Sequence, residues 1–140
     1  MASFNKIESF VGQLGLAAHN LNTHTFNVYL SNATPSASAD DNKADLAEIT
    51  NQNGYTAPVD TQNTYSETAG TGTMVGTKVV VTATGAVGPF QYVVLYNDTH
   101  ASDALVGWWD YGSALTLANG ETFSIKFNNS DTTGTILTIA

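Results

Sequence analysis

Cysteine and arginine are both missing from these 140 residues, and lysine supplies only four positive charges against twelve carboxylates. Without cysteine there is no disulfide framework, no thiolate nucleophile and no structural zinc site of the usual kind. Without arginine, and at a net charge of −8, the chain lacks the cationic contacts that supply most of the affinity for nucleic-acid backbones and anionic membrane surfaces. Charged residues make up 11%, about half the share usual in globular domains. No stretch approaches the ~18 apolar residues of a membrane span. The opening MASFNKIESFVGQLGLAAHN has neither the basic start nor the unbroken apolar run of a secretory leader. The expectation is a protein made in a cytoplasm, with neither nucleic acid nor membrane among its partners. The Asn-x-Ser/Thr triplets at Asn32, Asn97 and Asn128 then read as chance products of a Thr/Asn-rich chain.

What is present suits strands and turns. Thr, Asn, Ser and Gly carry the polarity, and they are poor helix material. One segment reads as a helix: Phe4, Ile7, Phe10, Val11 and Leu14 recur at steps of three and four, with Ser3 placed to cap and Gly15 to terminate. In 23–32, Phe26, Val28 and Leu30 alternate with polar residues and Tyr29, the pattern of a half-buried strand. ADLAEIT at 44–50 fits one helical turn or a short strand, and 51–76 reads as a long irregular loop, of the kind that is functional, mobile or hides an irregular edge strand. From Thr77 onward strand-like runs follow one another, separated by turn signals such as Asn97-Asp98, Gly112 and Asn119-Gly120. The spacing predicts an all-β, jelly-roll-like sandwich of about seven or eight short antiparallel strands. Its organisation reads as a helical arm over 1–20 followed by one domain over 21–140. The expected core is Phe26, Val28, Leu30, Val79, Val81, Phe123, Ile125 and Phe127.

Residues that could carry chemistry fall in no recognisable frame. His19, His24 and His100 lie in connecting segments and read as solvated. Asp40, Asp41, Asp45 and Glu48 invite a calcium loop. However, Ala44 and Asp45 stand where a ligand and the glycine belong, and Asn51 falls at the bidentate position. Asp98, Asp103 and Asp110 flank an aromatic region and admit a glycosidase reading, in which two carboxylates work as a pair. GTGTMVGTK at 70–78 lacks the spacing of a phosphate loop and runs into a strand instead of a helix. No cofactor or metal site is expected.

The aromatic region is the informative one. GPFQYVVLYND at 88–98 and LVGWWDYG at 105–112 are two strands joined by a polar turn, and the second holds both tryptophans. Alternation puts Trp108 and Trp109 on opposite faces, so one is expected in the core and the other at solvent or a partner. These runs, with FNKIESFVGQLGLAAHNLNTHTFNVYLSNATP and DLAEITNQNGY, resemble small virion proteins of tailed bacteriophages, in particular head decoration or cement proteins. The resemblance covers most of the chain. It implies a non-enzymatic jelly-roll-like protein on the outer surface of the phage head. Its implied partners are the major capsid protein and further copies of itself, as a dimer or trimer. No catalytic residues come with it. The expected interface is the stripe Phe4, Ile7, Phe10, Val11 and Leu14 together with Trp108 and Trp109. A tail- or fibre-associated module that binds host glycans is the alternative, and a small hydrolase built on the Asp98, Asp103 and Asp110 set is a third reading.

Overall fold

In the computed structural model, which describes residues 2–140, the chain is an all-β sandwich. Its elements are β1 (Phe4–Lys6), α1 (Glu8–Gly15), β2 (Phe26–Ser31), β3 (Val59–Asp60), β4 (Thr64–Thr68), β5 (Thr71–Thr77), β6 (Val79–Thr82), β7 (Val87–Asn97), β8 (Leu105–Leu117), β9 (Thr122–Ile125) and β10 (Thr133–Ile139). One layer is a five-stranded sheet in the order β1-β8-β7-β2-β3. The other is made of β10-β5-β4 and the pair β6-β9, and every ladder is antiparallel. No helix among the described residues is long and apolar enough to cross a membrane.

The main core lies between the layers. Phe26, Val28 and Leu30 of β2, with Phe90, Val93 and Leu95 of β7, face Met74, Val79, Val81, Ile125, Ile136 and Leu137 of the second layer. Of the eight core residues expected from sequence, seven are buried; Phe123 is half-buried at the open side. Phe127 is buried too, but in a left-handed turn after β9 and not in the strand.

The strands β2 and β7 are apolar on their other face as well. There Tyr29, Tyr92, Val94, Tyr96 and Leu105 form a second cluster with Ile7 and Leu46. The chain covers this face itself. The Tyr29 hydroxyl donates to the Leu46 carbonyl at 2.9 Å, the Ser31 hydroxyl donates to that of Ala47 at 2.6 Å, and the Ile49 amide donates to that of Leu30 at 3.0 Å. Burial raises the hydroxyl pKa of Tyr29, Tyr55 and Tyr96 well above the usual tyrosine value, so they act as neutral hydrogen-bonding groups. A strand with two apolar faces must lie between two layers, and β7 does.

Two parts differ from the sequence expectation. The first is 51–76, which is irregular only in its first part: β4 and β5 form a hairpin across Ala69-Gly70, both at positive φ (51° and 84°), as a tight two-residue turn requires. This hairpin and the short β1 and β3 bring the count to ten strands among the described residues.

The second is the N-terminus, which is a strand before it is a helix. Phe4 pairs with Trp109 and Lys6 with Gly107. Helix α1 begins after Ile7, with no side-chain cap from Ser3. The reason is local: Gly107 has no side chain, and the Phe4 ring and the Asn5 carbonyl occupy the vacant space. Ile7 then enters the second cluster and Phe10 the main core, so the segment is not a detachable arm. Gly107→Ala, whose methyl would overlap both the Asn5 carbonyl oxygen and the Phe4 ring, is expected to cost about 1–3 kcal/mol in urea unfolding. Amide exchange at residues 4–6 should accelerate in this variant; unchanged protection there would mean that β1 is not anchored this way.

Candidate interface between the sheet edges

At one side of the sandwich the two layers part. The edge strand β1 and its neighbour β8 lie on one side of the opening, and β10, β9 and the turn at Phe127–Asn129 on the other. Aromatic rings line it as a row. Phe4 and Trp109 meet at 5.1 Å between centroids, and Trp109 and Phe127 at 5.7 Å. Phe123 lies edge-on to both Phe90 (4.9 Å) and Tyr111 (5.7 Å). The cavity they line measures about 580 Å³ and is adjacent to a second groove of about 600 Å³ beneath α1, walled by Phe10, Val11, Leu14 and Ile139. Both volumes fall in the range of ligand-sized clefts. The turn at the cavity floor needs two consecutive left-handed residues, which Asn128 (φ 48°) and Asn129 (φ 58°) supply.

The structure distributes the seven expected interface residues unevenly. Ile7 and Phe10 are buried by their own chain, at 1% and 4% exposure, and present nothing to a partner. Leu14 is half-buried, and Val11 is 54% exposed. Phe4 lines the seam, but from a strand and not from the helical stripe. The two tryptophans do lie on opposite faces: Trp109 borders the main core and the seam, Trp108 the second cluster. Neither is fully buried, although β1 pairs with residues 107–109 of the long strand β8. Tyr111 and Phe123 were not legible as seam residues from the chain, since that role depends on where β9 sits beside β8.

Most of the remaining candidates have hydrogen-bond or ion-pair partners of their own. Asp40 accepts from the Ser36 amide, Asp45 accepts from the amides of Asp41 and Asn42, and Glu48 pairs with Lys43 at 2.9 Å. The Lys43 ammonium also lies over the rings of Tyr29 and Tyr96. Asp98 accepts from the Tyr96 hydroxyl, and Asp110 accepts from Gln91 and from the Gly112 amide. Asp98 and Asp103 flank the β7–β8 turn, whereas Asp110 is five residues into β8 from Leu105, about 17 Å along a strand. A working carboxylate pair stands roughly 5–10 Å apart, so Asp110 does not form one with Asp98 or Asp103. GTGTMVGTK is strand β5. Among the described residues no group of three or more His, Asp or Glu is arranged to hold a metal ion.

The histidines are the clearest departure from expectation. They converge on Asn97, which is fully buried at the end of β7. The Asn97 carbonyl oxygen accepts from the amides of Thr99 and His100. Its NH2 therefore donates to Nδ1 of His19 (3.0 Å) and Nδ1 of His24 (2.9 Å). Both rings must carry their proton on Nε2, and His19 Nε2 donates to Gln13 at 2.9 Å. Burial, then the neighbouring His100 and His24, lowers the His19 pKa to about 4. The cluster clamps the segment after α1 onto the β7–β8 turn.

Comparison with protein-family models, with curated proteins and with solved structures finds no match to this chain. The class defined by the coordinates is thus an all-β sandwich with an aromatic seam between its sheet edges.

Proposed function

We propose that this chain is a structural protein of a tailed-phage particle, a cement protein that binds the major capsid protein on the outer surface of the head. The observation that carries the reading is the seam. Phe4, Trp109, Tyr111 and Phe123 line one cavity between the layers and are left partly exposed there. Such surfaces mark sites of association. The resemblance in sequence supports the same reading, and the acidic, arginine-free composition suits an outer protein that must avoid packaged nucleic acid. A repeated lattice would also turn a modest footprint into firm retention through multivalency.

A glycan-binding module of the tail or fibre is the second reading, favoured by one feature: Ser124, Asn128 and Asn129 lie beside the seam's rings, as a sugar platform would need. Copy number separates the two. Quantitative mass spectrometry of purified particles should find on the order of hundreds of copies for a shell protein and only a handful for a tail component. Trp109→Ala should lower occupancy on heads, since an interface tryptophan is commonly worth ~2 kcal/mol or more. Trp108→Ala, on the self-covered face, should act on unfolding instead. Few copies per particle, with polysaccharide binding lost in Trp109→Ala, would favour the glycan reading.

A further inference from the structure

The seam is bordered by an unpaired strand edge. β10 is the last strand of its sheet, and apart from its ladder to β5 no backbone hydrogen bond among the described residues involves residues 133–140. Its sequence, TGTILTI, holds no charge and no proline, two of the usual guards against strand addition. The guard it has is a bulge between Thr135 and Leu137, which turns both Ile136 and Leu137 inward. By contrast, the outer edge of the same sheet, β4, exposes Glu67. Across the opening lies β1, the edge of the five-stranded sheet. The two grooves between these edges are adjacent and share Phe4, Thr135, Ile136 and Thr138 as lining, so together they follow the edge as a channel in two parts.

The channel also differs from the rest of the surface in charge. The chain has twelve acidic residues and four lysines, yet among the described residues no Asp or Glu lines either groove, while Lys6 and Lys126 do. Lys126 is held by the exposed Asp131 at 2.6 Å, whereas Lys6 has no ion pair among the described residues. The Ala140 end of the chain borders the second groove.

We infer that this channel receives an extended segment of the shell protein, added as a strand along β10. A free ladder edge inside an apolar channel is matched by polypeptide in extended form, whose backbone pairs with the edge while alternate side chains enter pockets. The segment is apolar at the positions that face Phe4, Trp109 and Ile136, and neutral or acidic between them, with an acid near Lys6. A second copy of this chain is the less suitable occupant, because it brings another net charge of −8. The inference rests on the reading of the chain as a shell-binding protein.

The test uses the full-length protein and shells purified without it. Thr138 is exposed and borders both grooves, so it can be changed with little effect on folding. Thr138→Glu should weaken binding to shells about tenfold or more by placing like charge against the segment. Thr138→Lys should bind at least as well as the unaltered protein, and Lys6→Glu should follow Thr138→Glu. All three should unfold at nearly the same temperature as the unaltered chain. Thr138→Cys, carrying a short photo-crosslinker, should attach to a segment of the shell protein. Equal binding of Thr138→Glu and Thr138→Lys would overturn the channel assignment while leaving shell binding intact. Cross-linking only between copies of this chain would overturn it in favour of self-association. Failure of the unaltered protein to bind shells would overturn both the inference and the reading beneath it.

Discussion

Phe90→Ala is expected to lower the free energy of unfolding by about 3–5 kcal/mol, the largest effect of any truncation considered. Phe90 is fully buried on β7, at the point where the layers are held together, and Phe123 meets it edge-on at 4.9 Å. Its removal leaves a cavity that cannot easily collapse. Leu115 opposes it on β8, and Val87 and Leu117 beside it are themselves buried. Phe123→Ala is the matched control, because that ring is half-exposed in the seam and loses less burial. Its cost should be visibly smaller. Urea unfolding followed by tryptophan fluorescence measures both, and equal losses would show that the seam is as closed as the core.

Acidification gives the second large effect. His19 has a pKa of about 4 in the folded chain against 6.5 for an unperturbed histidine. Between those values the unfolded chain binds a proton that the folded chain excludes, so stability rises with pH across this window. It is complete above 6.5 and is lost as the pH falls toward 4. The expected loss by pH 4.5 is about 2–3 kcal/mol. The geometry explains it: a proton on His19 Nδ1 would face the Asn97 NH2, whose carbonyl oxygen is already committed to Thr99 and His100 and cannot rotate into its place. His19→Phe, which would join the rings of Phe10 and Phe26, should flatten the pH dependence between 6.5 and 4.5. A slope as steep in that variant as in the unaltered chain would assign the effect to other groups.

The fold class and most of the core were legible in the amino-acid pattern. Alternation in β2, β6 and β9 placed Phe26, Val28, Leu30, Val79, Val81 and Ile125 inside, because a period of two has only one way to face a single core. It also determined that the two aromatic strands carry two apolar faces and that the tryptophans part across them. What covers the second face was not legible: residues 32–58 contribute Leu46 and backbone carbonyls, and nothing periodic announces such a cover.

The hairpin β4–β5 was hidden for a different reason. Along β5 the buried positions are Gly72, Met74 and Gly76, and two of these three have no side chain to read as apolar. Their space is filled from elsewhere, by Tyr65 over Gly72 and by Ile136 and Phe127 over Gly76. The turn also uses Ala69 where Asn or Asp is the usual signal. Phe4 was assigned to the wrong element because helical spacing in 4–14 is real, but a free edge at Gly107 competes for the first residues and wins.

The site follows the same division. Single aromatic residues could be listed from the chain, yet the seam exists only because β1 stops after three residues and β9 ends beside β8. The histidine clamp joins residues more than seventy positions apart around one asparagine. Local patterning dictates which way a side chain points along its own strand. Which edges remain unpaired, and which distant polar groups must satisfy one another once buried, is decided only when the layers meet.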